Sequence, residues 1–404
     1  MKSILIVEDN EAIIKGLKYL LEQENFDVTI CKTAEDTMNV VGTKTFDLII
    51  LDITLPDGNG YELCEYIKKY LKNLGINAVE DNAGEKIGGT TGNLYAYLDG
   101  TIDGESVLFA AHMDTVEPSK GKTAVVHSDG TITSDGTTVL GSDDLAGVVA
   151  ILEALTCIVE NNIPHPPIEI IFSVCEEKYC WGMNAFDFGK IKSKQAYVFD
   201  LDGEIGSAAN SAPTILSYTA KFIGKSAHAG FASHLGIHAV KAAALAVTEI
   251  PCGAIDEGVT ANVGIINGGT ATNIVPDLCT VTGEIRSFCD KTADVKFDEV
   301  KTICQNAASK LGAIVEFESN RCVVAFDVDE NAPVCQKFAS ACKSLSLNCE
   351  LVSTFGGSDN NVLFGHSIRG LVVSTGMHNC HSVNEYTTTK MLTDAASLAL
   401  ELMK

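Results

Sequence analysis

Residues 168–182 read IEIIFSVCEEKYCWG: a nearly unbroken apolar run that stops at Cys175 and two adjacent glutamates, Glu176 and Glu177, with Cys180 three positions further on. An amphipathic strand would alternate apolar and polar residues, so a run of this kind reads as a strand covered on both faces. Three other runs have the same character: SVLFAAH (106–112), AYVF (196–199) and LVVST (371–375). Residues 144–160 supply a covering helix, with apolar positions 145, 148, 149, 152 and 155 on one face. Together they predict an α/β catalytic domain built on a mixed, mostly parallel sheet sandwiched by helices.

Ligands of open α/β sheets sit beyond the carboxyl ends of the strands, and here those ends are chemically rich. The first run closes on His112 and Asp114, the second on Glu176 and Glu177, the third on Asp200 followed by Asp202. The fourth leads into a loop with His378 and His381, and Asp143-Asp144 in LGSDDLAG opens the helix. Singly, a histidine after a strand or an acid pair at a helix start is most simply a surface group or a cap. Jointly they form two histidines and several carboxylates on one sheet edge, a set that suits zinc, cobalt or manganese. The cysteines of CEEKYC are five apart with no second pair nearby, a poor zinc signature. The reading is therefore that the glutamates work and the cysteines pack, with the adjacent glutamates pointing apart as they leave the strand.

The rest of the chain frames this edge. Its 404 residues are enough for two or three domains. The 14 cysteines are scattered without any CxxC, as expected of reduced thiols in a cytoplasmic protein. The start, MKSILIVEDN, lacks the apolar core of a signal peptide, and no apolar run approaches membrane-spanning length. A net charge of −24 opposes binding to nucleic acid or anionic membrane. Between about 208 and 320 the order becomes strand, helix, strand, strand, helix, strand, the ferredoxin-like βαββαβ arrangement. Flanked on both sides by the α/β pattern, it reads as an insertion. The glycine-rich stretch 82–100 reads as hairpin material.

Residues 1–64 have a different pattern: strand SILIV closed by Glu8-Asp9, a helix over 11–24, strand DVTIC, a helix over 34–41, and DLIILD ending in Asp52. This resembles the first half of a response-regulator receiver domain, a partial βαβαβ in which Asp52 would be the phosphoacceptor. The later strands that would supply Ser or Thr and Lys are missing from the pattern.

From about 65 to 404 the chain resembles the di-zinc exopeptidase family of peptidase T (tripeptide aminopeptidase), glutamate carboxypeptidase and aminoacylase. The resemblance rests on AAHMDTV, LGSDDLAGV, EIIFSVCEE, AYVFD, GKSAHAG, GGTATNIVPD, RSF, GGSDNN and GMHNCHSVNEY, in that order. It implies a catalytic domain over 65–207 and 321–404 and an inserted lid and dimerisation domain over 208–320. It also implies two divalent ions per subunit, zinc first, with cobalt or manganese as alternatives. His112 and Asp200 would hold one ion, His381 and Glu177 the other, and Asp143 would bridge them. Asp202 is the weaker alternative to Asp200. Asp114 would orient His112 through a hydrogen bond, and Glu176 would be the general base that takes a proton from the attacking water. His228, Asn273 and Arg286 would contact substrate, His228 from the partner subunit of a homodimer. The implied activity is removal of the N-terminal residue of short peptides. The alternatives are a carboxypeptidase or N-acyl amino acid amidohydrolase of the same family and, in another class, a receiver-controlled signalling protein with a degenerate peptidase-like output. In place of the family's usual opening helix and loop stands the half receiver, spliced between about Gly60 and Lys72 within one continuous helical pattern.

Overall fold

The structure, a computed structural model, describes residues 2–7, 11–23, 26–32, 40, 44, 46, 48–51 and 60–404. Four parallel strands run through its centre, in the order Arg369–Met377, Gln195–Asp202, Val107–His112 and Ile168–Ser173. Every residue of the last two is buried. Alternate positions feed two separate cores. Val107, Phe109 and Ala111 face the helices Ser142–Asn161 and Thr389–Met403, while Leu108 and Ala110 pack with Met183, Val362 and Leu363 on the opposite side. A strand with apolar neighbours on both faces cannot afford a polar alternation, hence the unbroken runs. Glu169, a charge inside one of them, is satisfied by Ser193, the Lys192 and Ser193 amides and the Tyr95 hydroxyl.

Antiparallel strands flank this centre and complete a nine-stranded sheet: Leu94–Leu98 and Ala78–Glu80 on one side, Ser207–Ala212 and Phe326–Asp327 on the other, with Glu350–Ser353 also joined to Ser207–Ala212. The stretch 82–100, expected as hairpin alone, instead holds a short helix, Ala83–Ile87, before its strand. Asp81 makes the difference, since its carboxylate accepts the amides of Ala83 and Asn93 and closes the loop around that helix.

The insertion is a five-stranded antiparallel sheet, ordered Gly253–Asp256, Val259–Gly268, Leu278–Ser287, Thr214–Ile223 and Ile314–Val323. Strict alternation of buried and open residues along Leu278–Ser287 marks a sheet wet on one face. Helices Ala239–Glu249 and Asp290–Lys310 cover the other face.

At the N-terminus three parallel strands lie in the order Asp27–Cys31, Ser3–Val7, Leu48–Leu51, with helix Glu11–Gln23. Glu8, Asp9, Asp52 and most of the expected 34–41 helix lie outside the described residues. The next helix, Gly60–Asn73, joins the large core: Cys64, Ile67 and Leu71 are buried there, and the Tyr70 hydroxyl meets Thr156 at 2.7 Å.

Candidate metal centre

The sheet reverses its order at the strand Val107–His112, because the chain goes from it to Ile168–Ser173 on one side and then crosses back to Gln195–Asp202 on the other. A crevice opens at such a point, and the side chains expected from the strand ends converge in it. His112 Nε2 lies 3.1 Å from Asp143 Oδ1 and 3.7 Å from Asp200 Oδ1. His381 Nε2 lies 3.1 Å from Asp143 Oδ2 and 3.1 Å from Glu177 Oε2. Each oxygen of Asp143 thus faces a different histidine, and the donor atoms form two triads that share this residue. The crevice widens into a cavity of about 320 Å³ lined by every residue of the two triads except the buried His112, by Glu176 and Asp202, and by Arg286 from the inserted domain.

Local structure explains why Asp143 stands where it does. Gly147, on the next turn, has no room for a side chain, because a Cβ there would overlap the Phe199 carbonyl; its absence lets the helix start settle against the Asp200 strand. Asp144 is buried and accepts the amides of His112 and Gly147, so it ties that helix start to the first strand. Glu385 completes the clamp: its carboxylate accepts the Gly141 and Asp143 amides and the Ser142 hydroxyl. Neither role was visible in the sequence beyond the possibility of a cap at Asp144, since each partner lies far away along the chain.

The surroundings of the glutamate pair depart from expectation in three ways. The strand ends at Ser173, and Glu176–Lys178 form a 3-10 turn, so the two side chains diverge because of that turn rather than strand alternation. Cys175, Tyr179 and Cys180 all take positive φ around it. Asp114 holds the turn, since its carboxylate accepts the amides of Glu176 and Glu177 at 2.9 and 3.2 Å. That carboxylate was expected to hydrogen-bond His112; its backbone carbonyl does so instead, 2.9 Å from Nδ1, with the carboxylate at 3.6 Å. Cys180, expected only to pack, donates its thiol to Glu176 Oε1 at 3.2 Å. The buried Asp359 lies in the same cluster and accepts the Ser173 hydroxyl.

Electrostatics mark the crevice as built for cations. Burial pushes the Glu176 carboxyl up to about 8 against the opposing pull of His112, and drives Asp200 and Asp144 upward as well. His381 is raised to about 10 by its bonds to Asp143 and Glu177. Burial opposes charge on His112, yet Asp143, Asp200 and Glu176 overcome it and raise that group too. Asp143 is held low despite its burial by the two histidines. Glu177 Oε1 is buried with no hydrogen-bond partner. Imidazole and carboxylate donors, an orphaned carboxylate oxygen and a bridging aspartate fit two divalent ions.

Of the expected substrate contacts, Arg286 lines the cavity, with Nε on Glu284 at 2.7 Å and a guanidinium N–H on the Phe355 carbonyl at 2.8 Å. His228 and Asn273 do not line it. They sit side by side on the ribbon Ala227–His228 with Ile274–Val275, exposed, the His228 ring stacked on Phe231.

Comparison with known proteins places the chain among peptidases. A family model described as "Peptidase dimerisation domain" matches residues 210–312, "Peptidase family M28" matches 93–256, and "Response regulator receiver domain" matches 4–86. The uncharacterized protein YqjE of Bacillus subtilis is 34% identical over 343 residues, 85% of this chain and 92% of that protein. The crystal structure of aminopeptidase PepT from Bacillus cereus is 35% identical with a TM-score of 0.76, and that of a tripeptidase from Staphylococcus aureus is 31% identical with a TM-score of 0.80. Each match covers 85% of this chain and 92% of the other. The chain belongs to the M20 metallopeptidase family of peptidase T. The M28 model spans only residues 93–256 and runs into the inserted domain, whereas the Bacillus cereus and Staphylococcus aureus structures each match 85% of the chain. The protein is a metal-dependent peptide hydrolase of the peptidase T kind, with a receiver-like segment at its N-terminus.

Proposed function

We propose that this protein is a dinuclear aminopeptidase that removes the N-terminal residue from tripeptides and similar short peptides. The observation that carries the reading is Asp143 set between His112 and His381, one oxygen 3.1 Å from each. His112 and Asp200 would hold one ion, His381 and Glu177 the other, with zinc as the first candidate and cobalt or manganese as substitutes. Two such ions supply Lewis acidity at the scissile carbonyl and acidify water. Glu176, fixed by Cys180 on one oxygen and by Asp114 at its amide, takes the proton from the attacking water and passes it to the leaving amine. Arg286, which lines the cavity, grips the peptide backbone.

The lid supports a homodimer. Among the described residues Gly253–Asp256 pairs with Val259–Ala261 alone, so the far half of Val259–Gly268 has no described strand on that side and carries the exposed Ile265 and Ile266. A second copy adding to that edge would bring His228, which its own chain holds away from the cavity, toward the partner's site as an oxyanion donor. No described helix is long and apolar enough to cross a membrane; a cytoplasmic location is part of the same proposal.

The test is release of free N-terminal amino acid by the metal-replete protein from tripeptides, compared with dipeptides and N-acyl amino acids. Cleavage from the carboxyl end, or preference for N-acyl amino acids, would overturn the aminopeptidase reading.

A further inference from the structure

Asp202 closes the strand that carries Asp200, lines the catalytic cavity and belongs to neither donor triad. It is exposed, and none of the described residues donates a hydrogen bond or an ion pair to its carboxylate. Every other acid on that cavity wall has a task. Asp143, Glu177 and Asp200 face the ion positions, and Glu176 is bonded by Cys180 and committed to proton transfer.

The cavity's guanidinium is in the opposite condition. Arg286 reaches it already paired with Glu284, whose second oxygen accepts the Tyr179 hydroxyl at 3.2 Å, and already bonded to the Phe355 carbonyl. Its positive charge is therefore matched within the wall. Two divalent ions bring four positive charges against three ligand carboxylates, a balance left to the reacting water rather than to the substrate's ends. Asp202 is what remains, a negative group beside the reaction centre with no counter-charge. A short peptide offers one cation near its first peptide bond, the α-ammonium. A cavity with an unmatched carboxylate and a matched guanidinium favours that end of the peptide over its carboxylate end.

We propose that Asp202 binds the α-ammonium of the substrate's N-terminal residue and so determines that this site cuts at the amino end. This rests on the aminopeptidase reading given above and names the residue that enforces it.

The experiment uses the full-length, metal-loaded protein, trialanine and N-acetyl-trialanine as substrates, and L-leucine as a free-amino ligand whose binding is followed by calorimetry. Asp202→Asn is expected to raise KM for trialanine and weaken leucine binding, each by about 10-fold, the usual scale for losing one charged partner of a hydrogen bond. With kcat within ~3-fold of the parent, the loss is one of binding rather than chemistry. Metal content should stay at the parent value, and the preference for free over acetylated peptide should shrink by the same factor. Asp202→Glu, which keeps the charge, should recover most of the affinity. Unchanged KM and leucine affinity in Asp202→Asn, loss of a metal ion, or an equal defect in Asp202→Glu would each overturn the assignment. A parent enzyme that prefers the acetylated peptide would instead overturn the aminopeptidase reading itself, so the two failures are told apart by the parent alone.

Discussion

Glu385 stands 242 positions after Asp143 in the chain, yet its carboxylate accepts the Asp143 amide at 2.9 Å, together with the Ser142 hydroxyl and the Gly141 amide. A single buried charge thus fixes the backbone of the residue that both histidines face. Glu385→Gln keeps the shape but turns one acceptor into a donor, so at least one of the three donors loses its partner. Metal affinity should fall by about 10- to 100-fold, as for other groups that orient ligands. Competition with a chelating dye measures this directly; unchanged affinity would mean that the clamp is dispensable.

The two glutamates of the turn should separate cleanly. Glu176→Gln should lower kcat by at least ~10²-fold with metal content preserved, because the amide cannot take a proton. Glu177→Gln should lose one ion and recover part of its activity in excess cation. Metal analysis beside steady-state kinetics decides the matter, and the reverse pattern would exchange the two assignments.

A chelated sample should show an unusual dependence of stability on pH. Asp359 is pushed up by burial from 3.8 to about 6 and Glu176 from 4.5 to about 8, while His381 is raised from 6.5 to about 10 by Asp143 and Glu177. All three shifts mean that the folded chain holds more protons than the unfolded one, so stability is present at the acid end of this range and is lost as pH rises through those values. The Tm in EDTA should therefore drop by roughly 5 °C or more from pH 6 to pH 9. Ions in the crevice supply the positive charge that those protons otherwise bring, and the loaded protein should lack this slope. A chelated protein whose Tm rises with pH would contradict the reading of the crevice as over-acidic.

The open lid edge predicts the state of assembly. Ile265 and Ile266 are 60% and 50% exposed on a strand half with one neighbour. Charging both, as Ile265→Lys with Ile266→Lys, should convert a dimer into monomers in sedimentation experiments and remove the activity that depends on His228 of the partner subunit. A doubly charged variant that remains dimeric would place the interface elsewhere.

The cluster at the sheet edge was legible in the sequence because of how parallel sheets are built. Strands buried on both faces read as apolar runs, and the residue that ends each run, His112 or Asp200, marks the carboxyl edge where function gathers. The inserted domain was legible from its element order, except for the extra edge strand Gly253–Asp256, which makes its sheet five-stranded instead of the four expected. What escaped was the choice of partner: the Asp114 carboxylate goes to two amides of the glutamate turn, Cys180 points its thiol at Glu176, and Glu385 reaches Asp143. Such contacts depend on loops whose geometry is set by positive-φ residues such as Cys175 and Tyr179, and neither carries the glycine that would announce it. The helical pattern across 60–72 was visible, but not that the buried face of the helix is already committed at Cys64.

That commitment makes the helix Gly60–Asn73 a natural seam for rebuilding the molecule. Cys64, Ile67 and Leu71 fill a socket in the large core, and Tyr70 is latched to Thr156. None of the described residues ahead of Gly60 belongs to that core, so a different module could be joined there with the socket still filled. A cut a dozen residues later would open the hydrolase interior to water.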